Sequence, residues 1–491
     1  MYYVIGIDAG TTNQKAILFD EKGTIVCQAA RPSPLTAYPD GTAVYDACAV
    51  WTQISALLRE ITSGFNSELL GQIAGIAVTG MAEAGVPLSR SGEPLYPFIA
   101  WYDPRTVPYA AWWDRHYSAA KIAEITGLRV QHIFSVNKLM WLRDNLPDIY
   151  GRMASWACME DFIAFCLSGV LKMDTSIGSR TMMMDMERRC WSSDILEAAG
   201  ISPDILPELV SSGTLVGRVT ERAAAETGLL AGTPVYAGGH DHVCGALACG
   251  VLSPGVVLDS SGTAEEILAA SSDFGRVQEL GTEGFNVGCH VAKERYYMAG
   301  GIPASGAAVD WFRNQFSPEP DSVQPQAEGL LFLPHLRGGS SPDRATDSRG
   351  AFLGIRHFHT RADLQQAVYE GLSFEFRQSL LRLTKGESPK KIIAIGGGTK
   401  NRRWIETKAS VTSLPIEIPA IQESTALGAA MLAGIGAGIY ASPEEAAARV
   451  YRIGESIQPD STFREAYDRK FSIFSQVYDI LLPLNQQLSH L

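Results

Sequence analysis

One local pattern occurs twice in this chain, and it restricts the possible folds more than any other feature. Residues 2–8, Tyr-Tyr-Val-Ile-Gly-Ile-Asp, form an apolar run closed by Asp8. Ala-Gly-Thr-Thr follows at 9–12, and a second apolar run extends from Lys15 to Phe19. Residues 255–268, Gly-Val-Val-Leu-Asp-Ser-Ser-Gly-Thr-Ala-Glu-Glu-Ile-Leu, repeat the order of apolar strand, Asp, small residues, Gly-Thr and apolar strand. Each copy reads as a β-hairpin. A supersecondary unit that recurs after about 250 residues points to a duplicated domain, each half opening with the same turn. The length agrees, since 491 residues exceed what one core organises.

The chemistry of the turns suggests their use. Backbone N–H groups and Thr hydroxyls in a Gly-rich turn can surround phosphate oxygens. This nominates Gly10, Thr11 and Thr12 in the first copy, and Gly262 and Thr263 in the second. Asp8, at the entry to the first turn, can hold Mg²⁺ through water. Either turn alone could be an ordinary glycine turn; the repetition argues for a pair that clamps a nucleotide tail across a cleft. No G-x-x-x-x-G-K-[ST] sequence occurs, so the phosphate grip is not of the Walker type.

A third stretch supplies an acid–base group. Tyr236-Ala-Gly-Gly-His-Asp-His-Val-Cys-Gly-Ala sets Asp241 after an apolar strand, Pro234 to Ala237, and a Gly-Gly pair. Gly and Asp are poor strand residues, so the strand ends near here and its carboxylate stands on a rim. We expect Asp241 to take the proton of a sugar hydroxyl, with His242 next to the acceptor. An H-x-H zinc site at His240 and His242 is the alternative, but no third ligand is evident in the sequence. Residues 246–255, small and Gly-containing, are the expected interdomain crossing and hinge.

Other motifs fit around these three. The strand 72–79 ends at Gly80-Met-Ala-Glu83, and Pro97-Phe-Ile-Ala-Trp-Tyr-Asp-Pro-Arg follows. Sugars offer hydroxyls to carboxylates and guanidinium groups and an apolar face to aromatic rings, so Glu83, Trp101 and Asp103 are candidate acceptor contacts. The plainer alternative makes Trp101 a core residue and Asp103–Arg105 a local ion pair. A helix entered near Ser305, behind Gly300-Gly301, offers an anion seat that includes Gly306. After the strand at 391–395, Gly396-Gly-Gly-Thr-Lys-Asn gives Gly397, Gly398 and Asn401 as a shelf for a flat base. Thr181-Met-Met-Met-Asp-Met reads as soft core packing, and 317–328 as a surface loop.

Charge and cysteines bound the setting. A formal net charge of -12 argues against nucleic acid or an anionic membrane as a partner. Eight cysteines without a C-x-x-C pair suit free thiols in a reducing compartment. With no basic, apolar leader and no span-length apolar run, a cytoplasmic location is expected.

Together these residues resemble the FGGY carbohydrate kinases of the sugar kinase, Hsp70 and actin superfamily. Asp8-Ala-Gly-Thr-Thr is similar to that superfamily's first phosphate motif and Asp259-Ser-Ser-Gly-Thr to its second. Gly350-Ala-Phe-Leu-Gly-Ile, seven residues, then Asp363-Leu-Gln-Gln-Ala-Val-Tyr-Glu370 is similar throughout to the family's long C-terminal signature. Gly239-His-Asp241 resembles the catalytic-base segment, and Gly396–Asn401 the adenosine motif. The resemblance spans roughly residues 2–440 in the family's order.

It implies an α/β fold of two ribonuclease H-like (actin-like ATPase) domains with a cleft between them, divided as 1–247 and 248–491. The implied activity is transfer of the γ-phosphoryl group of ATP to a small carbohydrate. Asp241 would be the base, and Asp8 and Asp241 the Mg²⁺ ligands. A ketopentose such as xylulose is the expected acceptor, with other ketoses, polyols and aldonates as alternatives. Thr79-Gly-Met-Ala-Glu-Ala departs from the polyol-kinase and ketose-kinase patterns alike. A non-catalytic ATP- and sugar-binding regulator of the same fold is a further alternative, and a homodimer the oligomeric state that the resemblance admits.

Overall fold

Alternation along the first hairpin sets the architecture. The computed structural model describes residues 2–316, 329–343, 345–385, 387 and 389–489; the surface loop expected at 317–328 lies outside them. Six strands form the first sheet: β1 (Tyr3–Ala9), β2 (Asn13–Asp20), β3 (Ile25–Pro32), β4 (Ile73–Gly80), β5 (Leu215–Arg218) and β6 (Pro234–His240), in the order β5-β6-β4-β1-β2-β3. β1, β2 and β3 are an antiparallel meander, whereas β4 and β6 run parallel to β1.

The second sheet repeats this plan. Its strands are β7 (Val256–Ser261), β8 (Glu265–Ser271), β9 (Asn286–Cys289), β10 (Tyr296–Ile302), β11 (Lys391–Ile395), β12 (Ile416–Pro419) and β13 (Ile453–Ile457), in the order β9-β10-β8-β7-β11-β12-β13. The meander is now β7-β8-β10, and β11 and β12 are the parallel additions. The duplication expected from the two turns is therefore carried through both sheets.

Helices follow from capping and amphipathic spacing. α1 (Ala47–Thr62) starts at Asp46, whose carboxylate accepts from the Ala49 N–H at 2.7 Å, an ordinary N-cap. α1 and α2 (Met159–Ser168) cover the outer face of the first sheet, where Ile5, Ile7 and Ala9 point. Residues of the opposite parity, Val4, Ile17 and Phe19, enter a core that also holds Leu258, Leu268 and Ile393 of the second sheet. Strand period decides this split, since alternate side chains leave opposite faces.

Two helices fill the space between the sheets. α3 (Asp241–Ala248) follows β6, and α7 (Ser424–Gly436) follows β12 and lies across β1 and β4 of the first sheet. They cross so closely that a Cβ on Gly428 would overlap the Cys244 carbonyl. Other second-lobe helices include α4 (Gly306–Phe316), α5 (Arg361–Leu383) and α6 (Arg402–Thr412). α5 carries the second part of the C-terminal signature stretch and starts at a Thr360–Asp363 capping box.

Two local expectations change. β6 does not stop at Ala237 but runs through the Gly-Gly pair to His240. The supposedly flexible 246–255 crossing begins as helix: α3 continues to Ala248, with Ala246, Leu247 and Ala248 buried. Small residues there serve close packing of α3 on α7. The hairpin turns also differ in chemistry, because Asp259 is wholly buried on Lys408, Oδ2 to Nζ 2.5 Å, and Lys408 also bonds Glu265. Asp8 has no such buried cation and is half-buried next to Asp241.

Candidate active site

Three parallel strands deliver the key groups to one rim. The register aligns Asp8 with Thr79, Ala9 with Gly80, and Gly80 with His240, so the C-terminal ends of β1, β4 and β6 lie side by side. Such strand ends are where open α/β sheets bind ligands. A cleft of ≈ 720 Å³ opens there. Its first-lobe wall includes Thr11, Glu83, Trp101, Arg180, Asp241 and His242; its second-lobe wall includes Ser260, Gly262, Glu266, Tyr297 and Gly301.

Asp241 is the first residue of α3. Its Oδ1 accepts from the His242 N–H at 2.7 Å, and His240 Nε2 lies 3.2 Å from the same oxygen. Burial raises its pKa, with His242 acting in the other direction. Asp8 is lifted to about 7, first by burial and then by the charge of Asp241, against the pull of Lys15. A carboxyl lifted by the charge of a neighbouring carboxylate suits a cation shared between the two. A Mg²⁺ held by one or two carboxylates, phosphates and water needs no larger protein cage, so this pair fits that ion. Among the described residues no group of three or more His, Cys, Asp and Glu is disposed to hold a metal, which leaves the zinc reading of His240 and His242 without support.

The two histidines are not alike. His240 is buried and its pKa falls well below the ordinary value, chiefly through burial. Its N–H donates to Ser176 Oγ at 2.9 Å, and Ser176 donates to Asp174 at 2.5 Å, which ties the end of β6 in place. His242 is lifted to about 9, first by Glu266 of the opposite lobe, whose Oε2 is 3.9 Å from Nε2. His242 is therefore a cation beside Asp241 at neutral pH.

Glu83 sits in a left-handed backbone conformation, φ +65°, after β4. Its carboxylate is buried against Arg180, with Nε 2.7 Å and Nη2 2.6 Å from Oε1. Strain of this kind in a non-glycine residue collects at functional sites. Trp101 lines the same cleft and donates from Nε1 to Thr11 Oγ1 at 3.3 Å, joining this wall to the first turn. Asp103 is a correction. It is fully buried and away from the cleft, accepting from Ala43 N–H at 2.7 Å and from Arg105 Nε at 2.8 Å. The local ion pair holds the 97–106 loop and leaves no carboxylate for a ligand.

The first turn is held from behind: Ser33 donates to the Gly10 and Thr12 carbonyls at 2.7 and 2.8 Å, and Tyr45 to the Thr11 carbonyl at 3.3 Å. That keeps these oxygens off an incoming anion, and Thr12 is exposed. In the second turn the Gly306 and Ala307 N–H groups donate to the Gly262 and Thr263 carbonyls at 3.0 Å each. The first amides of α4 thus brace the turn, and the anion seat expected at Gly306 is closed. Gly397 faces open space, whereas Gly398 is pressed on Ser261 and Trp404. Asn401 caps α6, its Oδ1 accepting from Trp404 N–H at 3.2 Å, and its Nδ2 makes no hydrogen bond. These three lie beyond the second turn and outside the cleft wall proper.

Sequence reasoning passed over Arg180, Glu266 and Tyr297. Only Arg180 left a signal, a lone cation at the head of the Thr181–Met186 apolar run. No helix among the described residues is long and apolar enough to cross a membrane.

The chain matches a known family and known proteins along most of its length. The family model described as the FGGY family of carbohydrate kinases, N-terminal domain, matches residues 3–248, and its C-terminal counterpart matches 271–437. Xylulose kinase of Bacillus subtilis (strain 168) is 31% identical over 498 residues, covering 99% of each chain. L-fuculokinase of Escherichia coli (strain K12) is 29% identical over 466 residues, 91% of this chain and 95% of the other. The crystal structure of xylulose kinase from Rhodospirillum rubrum superposes with a TM-score of 0.89 at 30% identity, over 99% of this chain and 100% of that one.

Proposed function

Because the chain belongs to the FGGY family of carbohydrate kinases, and so is an ATP-dependent sugar kinase of two actin-like lobes, we propose that its acceptor is a ketopentose, xylulose first, and that Asp241 is the general base. The observation that carries this is Asp241 at the N-terminus of α3, facing a cleft walled by both Gly-Thr turns and by Glu83 and Trp101. The names of the relatives favour the ketopentose over a polyol or an aldonate. We take 1–247 and 248–491 as the two functional halves. Their boundary falls in the last turn of α3, between strands that belong to different sheets.

Thr11 and Thr12 of one turn and Gly262 and Thr263 of the other bind the phosphates from opposite sides, while Gly397, Gly398 and Asn401 receive the adenosine. Glu83, Trp101 and His242 orient the acceptor so that one hydroxyl meets the terminal phosphate in line. A loose transition state makes positioning and charge neutralisation the main sources of rate. Asp8 and Asp241 would hold Mg²⁺, which when bound neutralises phosphate charge. Asp241 accepts the hydroxyl proton late, after the bond to phosphorus has begun to form. The His242 charge lowers the Asp241 pKa against the rise that burial causes. Closure of the lobes excludes water as a rival acceptor.

The test is ADP release from the full chain across a panel of ketoses, polyols and aldonates. Asp241→Asn is expected to lower kcat by about 10²–10⁴-fold while ATP still binds. Near-normal turnover in that variant would remove Asp241 from the mechanism.

A further inference from the structure

The acceptor end of the cleft holds a cation that the mechanism above does not use. Arg180 is 5% exposed and lines the cleft beside Glu83. Its Nε and Nη2 both bond a single oxygen, Glu83 Oε1. Nη1 is buried and makes no hydrogen bond. Among the described residues no hydrogen bond is made to Glu83 Oε2 either. A guanidinium N–H in a folded interior is nearly always given an acceptor. Two more buried atoms of this wall meet no partner at full hydrogen-bond geometry, the Tyr297 hydroxyl, which lies beside the Arg180 guanidinium, and His240 Nδ1. The set spans both lobes and is short of oxygens to bond.

We propose that Glu83 and Arg180 act as one neutral donor–acceptor pair that selects an uncharged polyhydroxyl acceptor, Arg180 Nη1 donating to a substrate oxygen remote from the transferred hydroxyl. The inference rests on the sugar-kinase reading and specifies the substrate class within it. Its basis is charge. The guanidinium is already matched by the Glu83 carboxylate at 2.6 Å. Lys138, buried and turned to the Ile133 carbonyl, is the other cation acting on Glu83. Setting aside the His242–Glu266 and Lys15–Glu423 pairs, these two cations are set against the carboxylates of Glu83, Asp241 and Asp8. A sugar acid would add a further anion beside them, where screening is weak, and be rejected; a neutral ketose satisfies the open donor and acceptors without that cost.

The test uses the full chain, with xylulose and gluconate as probes, and reads kcat and KM separately. Wild type is expected to favour xylulose over gluconate in kcat/KM. Arg180→Met should raise KM for xylulose at least tenfold with a smaller change in kcat, and Arg180→Lys should not restore it, because an ammonium lacks the planar fork. Glu83→Gln, which leaves the guanidinium unmatched, should lower the xylulose-to-gluconate ratio at least tenfold. Circular dichroism and binding of an ATP analogue establish folding. Should either single variant fail to fold, Glu83→Gln/Arg180→Met, which buries no unmatched charge, should show the raised xylulose KM. A folded Arg180→Met or double variant with xylulose KM within twofold of wild type would overturn the proposal. So would an unchanged ratio in Glu83→Gln, or wild type that prefers gluconate. Wild type that releases ADP with no acceptor at all would overturn the kinase reading instead.

Discussion

Asp174 shows what single residues behind the site cost the fold. It is buried with Glu160 and Asp161, and burial is the first cause that lifts all three carboxyls. Asp174 reaches about 6 even though Ser176 N–H and Oγ and Ser212 Oγ donate to it. A pKa higher in the folded than in the unfolded chain means that the folded state binds the proton more tightly. The associated stability is complete below the unfolded value of 3.8 and is lost as pH rises through about 6. Asp174→Asn keeps an acceptor oxygen but cannot ionise. Urea unfolding should therefore move in favour of the variant by on the order of 2–3 kcal/mol between about pH 4 and pH 7. A difference that stays flat across that range would mean Asp174 does not titrate there. At this scale the sequence was uneven. Asp8, Thr11, Glu83, Trp101, Asp241 and His242 were singled out because strand ends and Gly turns are local signals. Asp103 was misassigned because an aromatic-acid-arginine cluster looks alike whether it binds a sugar or itself. Arg180 was missed since its partner is 97 residues away.

At the scale of elements the decisive contact is the crossing of α3 and α7. Gly428 has no room for a side chain above Cys244, so Gly428→Val should cost on the order of 2–4 kcal/mol, read as a lower urea midpoint. The same displacement would tilt α3, whose first residue is Asp241, so the folded fraction should also lose kcat more than ATP affinity. A variant as stable and active as wild type would show that the crossing can relax. Paired hairpins could be read from the chain, as turn residues and strand period act within a few residues. The crossing could not. α7 is buried almost all round, with no polar stripe to say which face meets what, and its partner lies some 180 residues earlier in the chain. The fit of α4 amides to the Gly262 and Thr263 carbonyls was hidden for the same reason, and a Gly-rich helix entry was read as an anion seat.

For the whole molecule, the two Gly-Thr turns belong to different sheets and must approach one phosphate chain. Binding of a non-hydrolysable ATP analogue together with xylulose should therefore reduce the radius of gyration in solution scattering by more than either ligand alone. An unchanged radius with both bound would argue that the lobes already stand in their working arrangement. The inner face of the first sheet, with Val4, Ile17 and Phe19, is covered by a helix that lies far along the chain, residues 424–436. During synthesis those strands leave the ribosome long before their cover exists, and residue 436 of 491 must be made before the amino-terminal half can seal itself. The nascent protein consequently carries a bare oily surface through most of its translation. It should lean on holding chaperones more heavily than its finished form would suggest.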